Sequence, residues 1–246
     1  MERKLAFNPQ VLRMIGHKLR TPLSIINGYC EAIQSQNKSA LSPFSVKALE
    51  EIAQQGEHVS MLVDKLIVCN KVFSTTEETL TKEEINLKAL IKESATTVLT
   101  WEENHHCPQG TSEEAVTRRG TFVETDCPDH LTVHANAEML RLCVEELIDN
   151  AMKFNKKSEK VIKIQAINHG SCISLSVRDY GSGIRSQDVD QIFEPFYQVD
   201  DDLTGQVEGW GLGLTMVRRI LKLHGGSISV VSDKGLGSIF TINLPL

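Results

Sequence analysis

The chain has 246 residues, with 26 lysines and arginines against 32 aspartates and glutamates, a formal net charge of -6 and 41% hydrophobic residues. That length suits two smaller domains better than one, and the acidic balance argues against a nucleic-acid binder, whose surface would be basic. No apolar run is long enough for a bilayer span, so we expect no membrane contact within this chain. The first residues lack the apolar core of a signal peptide, and the six cysteines have no paired short spacing. We therefore expect a cytoplasmic protein with reduced thiols.

The N-terminal part is predicted to form a helical hairpin. Apolar residues recur at helical spacing from about Asn8 to Gln36, and Asn37 to Ser39 are predicted to turn. Ser42 and Pro43 then indicate the start of a second helix. Its apolar seam alternates three and four residues apart, through Leu49, Ile52, Gly56, Val59, Val63, Leu66, Asn70 and Phe73. Because a lone hairpin cannot bury two apolar stripes, we expect a homodimer with a four-helix bundle; packing against the rest of the chain is the alternative.

The remaining sequence predicts a second domain of the α+β class. Residues 75–82 are predicted to link a domain at 1–74 to one at 83–246, because the stretch Ser74–Lys82 has no periodicity. Helices are expected near Leu87–Leu99 and Ala137–Phe154. Strands are expected at Thr121–Thr125, Val161–Asn168, Cys172–Asp179, Ser227–Ser232 and Ser238–Asn243, with a hairpin turn at Asn168–Gly170. These elements predict an antiparallel-rich sheet with helices.

The polar stretch Trp101–Gly120 is predicted to be an exposed loop. It contains His105, His106 and Cys107, which together with Cys127 or His130 could suggest a metal site. Their spacing matches no known site, so the loop interpretation is preferred.

Two helical motifs carry groups suited to phosphate chemistry. The first begins at His17 and ends at Leu23, where a histidine among charged neighbours and before a helix-kinking proline should project into solvent. The second contains Glu146, Asn150 and Lys153 at helical spacing, so that their side chains share one face. Carboxylate and carboxamide oxygens suit Mg²⁺, and an ammonium suits a phosphate. Taken alone, each motif would be interpreted as a solvated helix surface.

Two glycine motifs complete the set. Asp179–Gly183 follows a predicted strand, so its backbone can approach a flat ligand while the carboxylate accepts a hydrogen bond from the ligand's amino group. Gly209–Leu214 opens a helix predicted to reach about His224, and glycines at a helix N-terminus leave backbone amides directed at an anion. A Gly-x-Gly-x-Gly pattern alone is weak evidence.

Taken together, in this order, the motifs closely resemble the catalytic core of bacterial two-component sensor histidine kinases, with an ATP-binding domain of the GHKL type. The resemblance covers essentially the whole chain. The matching segments are the phosphoacceptor box His17–Leu23, the asparagine box Glu146–Phe154, the first glycine box Asp179–Gly183, the phenylalanine box Phe193–Phe196 and the second glycine box Gly209–Leu214. His224–Gly226 and the C-terminal stretch from Gly237 also follow the family pattern. The resemblance implies a dimeric helical hairpin followed by an α/β-sandwich ATP-binding domain.

The resemblance also implies roles for particular residues. Asp179 would accept a hydrogen bond from the adenine amino group, and Asn150, helped by Glu146, would hold Mg²⁺. Lys153 and the second glycine box would contact the phosphates of ATP. The residues expected to bind the nucleotide are therefore Asn150, Lys153, Asp179, Gly181, Gly183, Gly209, Gly211, Leu212 and Gly213. His17 would receive the γ-phosphoryl group on Nε2 and pass it to an aspartate of a response regulator receiver domain.

The phosphoacceptor box departs from the family pattern at one position. The family usually has Glu or Asp directly after the histidine, where this chain has Lys18. That carboxylate is thought to act as a base and to orient the imidazole, and a positioned base contributes about 10²–10⁴-fold in rate. An ammonium cannot accept the proton, so slow autophosphorylation is implied. The same acid acts with Thr21 in dephosphorylating the partner, so phosphatase activity is in doubt as well.

The segment Ile184–Trp210 corresponds to the family's mobile lid over the nucleotide. It has no basic residue after Arg185, where family lids commonly carry one that reaches the phosphates. Between Ile184 and Leu212 there are seven acidic residues and one basic residue, a net charge of -6. This equals the formal net charge of the whole chain. Acidic groups repel a polyphosphate unless Mg²⁺ or salt intervenes. A solvated loop of harmless charge is the alternative.

Two rival functions remain open. One is a weakly active or inactive nucleotide-binding signalling module that acts through partner binding. The other is an ATP-hydrolysing relative of the gyrase or Hsp90 group, against which the His17 hairpin argues.

Overall fold

The computed structural model describes residues 19–20, 23–31, 33–34, 43–106, 117–118, 120–155, 157–195, 197–199 and 211–246. The chain divides into two compact units, Met1–Thr75 and Thr76–Leu246. Among the helices in these residues, none has the length and apolar character that a membrane crossing requires.

In the first unit, two helical segments run antiparallel. Residues 19–20, 23–31 and 33–34 are helical, and helix α1 spans Pro43–Ser74. Arg20 forms an ion pair with Asp64, and the Asn27 carboxamide lies where a side chain at Gly56 would have to go. Residue numbers rise in one segment as those of their partners fall in the other, so the antiparallel pairing of a predicted hairpin and the helix start at Pro43 are confirmed. Ser42, the predicted turn at residues 37–39 and the predicted helix before residue 19 lie outside the described residues.

The predicted seam of α1 faces inward only in part. Val63 is 3% exposed and Val72, outside the predicted seam, is 1% exposed, but Ile52 is 47% exposed. Apolar surface therefore stays uncovered within one hairpin. This is expected, because two helices cannot bury both of their apolar stripes against each other alone.

The second unit contains three helices and eight strands in its described residues. The helices are α2 (Leu87–His106), α3 (Ala137–Lys153) and α4 (Gly213–Leu223), with 3₁₀ turns at Glu77–Thr79 and Gln191–Phe193. The strands are β1 (Glu83–Asn86), β2 (Thr117–Arg118), β3 (Thr121–Asp126), β4 (Thr132–Ala135), β5 (Lys160–Asn168), β6 (Cys172–Arg178), β7 (Ser227–Asp233) and β8 (Gly237–Pro245).

The strands form two sheets, and helices cover one face of the larger. β1 and β4 pair antiparallel, while the six-stranded sheet has the order β2-β3-β5-β6-β8-β7 and is antiparallel except between β3 and β5. α3 contacts β5 and β6, and α4 contacts β7 and β8. Alternate strand residues such as Ile164 and Leu175 are buried beneath them, each 1% exposed. The predicted α+β class, with a helical region before an α/β sandwich, is confirmed.

The predicted strands are all present, and so is the hairpin turn. Gly170 has a φ of +85°, and its N–H donates to Asn168 Oδ1 at 2.7 Å. A left-handed glycine after an asparagine that accepts from the backbone is typical of a tight turn.

The prediction of a loop over Trp101–Gly120 is wrong at both ends. α2 continues to His106, because the sequence has no glycine or proline between Leu87 and Pro108. Residues 117–118 pair with β3. Cys107 lies outside the described residues. The short strands β1 and β4 were not predicted, because Ile85 is the only buried residue of β1 and four residues cannot display an alternation.

Candidate functional site

The structure describes nine of the predicted site residues, on three segments. Glu146, Asn150 and Lys153 lie on α3; Asp179, Gly181 and Gly183 follow β6; Gly211, Leu212 and Gly213 lie at the start of α4. His17, Lys18, Thr21 and Gly209 lie outside the described residues.

Helix α3 is fixed at its N-terminus by a side-chain cap. Asn136 Oδ1 accepts from Met139 N–H at 3.0 Å, which satisfies one of the backbone donors that a helix start leaves unpaired. Glu146, Asn150 and Lys153 are half-buried on the helix surface, while residues such as Leu147 and Ile148 are fully buried beneath. The helix thus presents its polar residues along the side that is not packed.

Lys153 already has an anionic partner on its own helix. Its Nζ lies 2.7 Å from Asp149 Oδ2, one turn earlier, and the two side chains are only 26% and 22% exposed. Sequence reasoning placed Lys153 with Asn150 and Glu146 and missed Asp149, although the i,i+4 spacing of opposite charges was a readable signal.

Asp179 is buried in the glycine loop after β6. Its side chain accepts from Gly181 N–H at 2.7 Å, and its backbone N–H donates to Ser238 O at 2.9 Å. Burial raises the pKa of the Asp179 carboxyl, and the backbone hydrogen bonds from Gly181 and Ser238 lower it in part. A carboxylate taken out of water in this way favours a ligand that donates a hydrogen bond to it.

The glycines of this loop are required by neighbouring backbone. A Cβ at Gly181 would lie 2.9 Å from the Phe154 carbonyl carbon, and Ser182 N–H donates to the Phe154 carbonyl oxygen at 3.0 Å. Gly183 has a φ of +62°, and a Cβ there would lie 2.7 Å from the Asp233 carbonyl carbon. The loop is therefore held between the end of α3 and the end of β7.

The start of α4 combines an uncapped helix end with a nearby carboxylate. Gly211 has a φ of +64°, and the N-cap residue Leu212 provides no side-chain hydrogen bond. The first amides of a helix have no intrahelical partner, so this end suits an anion. A Cβ at Gly213 would lie 3.1 Å from Glu146 Cδ and closer still to Oε2. Gly213 therefore admits the Glu146 carboxylate to the beginning of α4.

Phe154 is a site candidate that sequence reasoning did not assign. It follows α3, is 39% exposed, and its carbonyl oxygen accepts from the glycine loop that carries Asp179. An exposed aromatic ring on the residue whose carbonyl anchors this loop can give a flat ligand an apolar surface. Its exposure could not be read from the sequence, where it resembles a final apolar helix residue.

His224 joins the two site helices. The ring Nδ1 lies 2.8 Å from Ile220 O in α4, and Nε2 accepts from Asn136 N–H at 2.9 Å. Asn136 also donates through Nδ2 to Thr81 O at 2.9 Å. This arrangement needs neutral imidazole protonated on Nδ1, and burial lowers the pKa of His224 accordingly.

The segment after the glycine loop is held by a buried carboxylate and by α4. Asp188 Oδ2 accepts from Arg185 Nε at 2.7 Å and Oδ1 from the Tyr197 hydroxyl at 2.8 Å, and these bonds lower the pKa of Asp188. Thr215 of α4 donates to Phe193 O at 3.0 Å. Arg185, the one base in the acidic stretch, is thus engaged with Asp188; Asp200–Asp202 and Glu208 lie outside the described residues.

No cluster of three or more histidine, cysteine, aspartate or glutamate side chains that could hold a metal is present among the residues described above. Glu146 and Asn150 provide one carboxylate and one carboxamide oxygen, which suits Mg²⁺, since this ion keeps several waters and takes few protein ligands beside substrate phosphates.

A buried carboxylate in a glycine loop, an exposed aromatic at the residue that anchors this loop and an uncapped helix N-terminus together are typical of a nucleotide-binding α/β sandwich. Comparison with known families makes this specific. Residues 9–71 match the model described as "His Kinase A (phospho-acceptor) domain", and residues 135–246 match "Histidine kinase-, DNA gyrase B-, and HSP90-like ATPase". Together the two models match well over half of the chain, which belongs to the histidine kinase family as a two-component catalytic core.

Several curated relatives are named as sensor kinases. The chain is 28% identical over 236 residues to sensor protein kinase WalK of Staphylococcus saprophyticus, with 94% of this chain and 35% of the relative covered. It is 29% identical over 235 residues to sensor histidine kinase YkoH of Bacillus subtilis, with 95% and 46% covered. The chain therefore spans less than half the length of these relatives.

Solved structures share the fold. The crystal structure of full-length ShkA in complex with AMPPNP has a TM-score of 0.69 at 21% identity, with 96% of this chain and 46% of that one covered. Histidine kinase AdeS of Acinetobacter baumannii has a TM-score of 0.57 at 21% identity, with 93% and 97% covered.

Proposed function

We propose that this chain phosphorylates itself on His17 with ATP and passes the phosphoryl group to an aspartate of a response regulator receiver domain. The observation that carries the proposal is the meeting of three distant motifs on α3. Gly213 of the second glycine box lies against Glu146, and Gly181 of the first lies against Phe154. This meeting of motifs supports one nucleotide site that extends from the base to the phosphates.

The base and the phosphates are assigned to opposite ends of the site. Asp179 accepts from the adenine amino group, Gly181 and Gly183 let the backbone approach the base, and Phe154 provides an apolar surface for it. Lys153 and the amides around Gly211, Leu212 and Gly213 bind the phosphates, with Gly209 completing the box. The negative phosphates would meet positive charge on both sides, from the Lys153 ammonium and from the positive N-terminal end of α4.

Glu146 and Asn150 are the residues that would hold Mg²⁺. When bound, the ion would supply positive charge that offsets the negative charge developing on the phosphates during transfer. The two side chains are one helical turn apart, and Glu146 lies beside the first residue of α4. This places a carboxylate near the phosphate-binding end, where it can also orient water or ligands.

The transfer requires an imidazole nitrogen with an available lone pair. Nε2 of His17 attacks the γ-phosphorus, the bond to the β,γ-bridging oxygen breaks, ADP leaves, and the ring loses the proton on its other nitrogen. Lys18 cannot accept that proton as an ammonium, so we propose that the step is slow. Thr21 would take part in hydrolysis of the phosphoaspartate on the partner, an activity for which the usual carboxylate is replaced here by Lys18.

The homodimer is proposed from the first unit. Leu19, Ile26 and Ile33 follow each other at seven-residue intervals and are each at least 40% exposed. A heptad stripe left uncovered by its own hairpin favours pairing with a second copy. The domain boundaries, the absence of nucleic-acid partners and the cytoplasmic location stay predictions.

A second candidate is a nucleotide-binding signalling module without effective catalysis. Lys18 and the acidic residues between Ile184 and Leu212 favour it, because neither a base nor a further phosphate ligand is supplied there. In that case ATP occupancy would change the shape that a partner recognises.

The test is incubation with γ-labelled ATP and Mg²⁺. We expect acid-labile label on the wild type and on His169→Gln, which replaces an exposed histidine bonded to Ser174 on the hairpin turn. We expect none on His17→Gln. Unlabelled wild type with intact ATP binding would favour the second candidate, whereas steady ATP turnover that does not depend on His17 would favour a gyrase- or Hsp90-like hydrolase.

A further inference from the structure

We propose that Asp149 is a positioning residue that sets ATP affinity through Lys153, by competing with the phosphates for its ammonium. The inference rests on the proposed function, in which Lys153 is a phosphate ligand. Asp149 precedes Asn150 directly, and its Oδ2 lies 2.7 Å from Lys153 Nζ.

The pair is better shielded than the Arg141–Glu93 ion pair, which also involves this helix. Side chains of Asp149 and Lys153 are 22% and 26% exposed, whereas those of Arg141 and Glu93, which also lie 2.7 Å apart, are 46% and 59% exposed. Water and salt therefore screen the Asp149–Lys153 attraction less than they screen the Arg141–Glu93 attraction.

The position on the helix makes the pair specific. An acid four residues before a base is the favourable orientation, and a cation in the last turn is stabilised by the helix C-terminus. Lys153 therefore has a defined position before ATP arrives. A phosphate that takes the ammonium must displace this carboxylate or accept its negative charge nearby, and either event weakens binding.

Asp149→Asn removes the competing charge at nearly constant shape. We expect it to tighten binding of the non-hydrolysable analogue AMPPNP, measured with Mg²⁺ by calorimetry, about 3- to 10-fold. Binding of adenosine, which has no phosphate, should be unchanged, and Asp149→Glu, which keeps the charge, should behave like the wild type.

A double-mutant cycle separates action through Lys153 from a general charge effect. In a Lys153→Met background, Asp149→Asn should change AMPPNP affinity less than about 2-fold. Glu93→Gln is the matched control, because it breaks the ion pair between Glu93 of α2 and Arg141 of α3. Arg141 lies nine residues before Asn150, about 13 Å along the helix. Glu93→Gln should leave AMPPNP affinity unchanged, and thermal unfolding without nucleotide verifies that each variant is folded.

An equal tightening with and without Lys153 would overturn the inference, since Asp149 would then act by charge alone. Weaker AMPPNP binding by Asp149→Asn would overturn it too, because the carboxylate would then assist binding. If the wild type does not bind AMPPNP at all, the proposed function fails instead, so the two failures are distinguishable.

Discussion

Replacing Gly183 with alanine should destabilise the second unit far more than its small change in size suggests. At a φ of +62° a Cβ costs about 1–2 kcal/mol. The new atom would also lie 2.7 Å from the Asp233 carbonyl carbon and 3.1 Å from Lys234 Cα, both backbone atoms that no side-chain rotation can move away. Overpacking of this kind costs about 1–3 kcal/mol, so the free energy of unfolding should fall by roughly 2–5 kcal/mol.

Thermal unfolding without nucleotide measures this loss, which corresponds to a Tm lower by roughly 4–20 °C for a unit of this size. Gly170→Ala is the matched control, because Gly170 has a φ of +85° but nothing lies within 4 Å of a Cβ built there. Its free energy of unfolding should fall only by the cost of placing a Cβ at positive φ, about 1–2 kcal/mol. If Gly183→Ala and Gly170→Ala are equally stable, the overlap with the end of β7 has no energetic weight and the reasoning is refuted.

Gly213→Ala should leave the Tm nearly unchanged but slow autophosphorylation, because the new Cβ displaces only the Glu146 carboxylate; a normal rate would mean that Glu146 has no role in transfer. As pH falls below 6.5, the ordinary pKa of histidine, the wild type should lose stability in urea unfolding, because buried His224 has a lowered pKa and the unfolded chain takes up the proton first. His224→Gln should be less stable at pH 7 and lack that dependence; an identical pH profile would contradict this. Asp179→Asn should raise the Tm at neutral pH, because folding of the wild type becomes less favourable as pH rises from the ordinary pKa of aspartate to the raised pKa of Asp179; it should also weaken ATP-analogue binding about 10-fold or more. A lower Tm would show that the carboxylate stabilises the fold. Lys18→Glu should raise the initial autophosphorylation rate about 10²-fold, the lower end of what a positioned base supplies; an unchanged rate with intact ATP binding and dimerisation would exclude the idea.

The glycine motifs were predictable because their requirements are local. Gly183 and Gly211 adopt positive φ, and Asp179 accepts from the amide two residues later, so the residue types and their spacing already contain the geometry. The long strands and α3 were predictable for a similar reason, since their burial repeats at the period of the element.

Contacts between distant segments could not be predicted. His224 and Asn136 are 88 residues apart, and nothing in either neighbourhood indicates that a ring nitrogen meets a backbone amide. Phe154 reads as one more apolar residue of α3, and nothing near it in the sequence indicates that its carbonyl accepts from Ser182 of the glycine loop. Such features arise only when packing brings together segments that have no sequence pattern in common.

Helix α3 supports the whole candidate site. The backbone N–H of its cap residue Asn136 donates to His224 at the end of α4, Glu146 meets Gly213 in its middle, and the Phe154 carbonyl holds Ser182 at its end. The binding segments therefore have little stability independent of this one helix. Nucleotide-binding competence should be lost in a single cooperative transition together with the fold, and should not erode segment by segment as temperature rises.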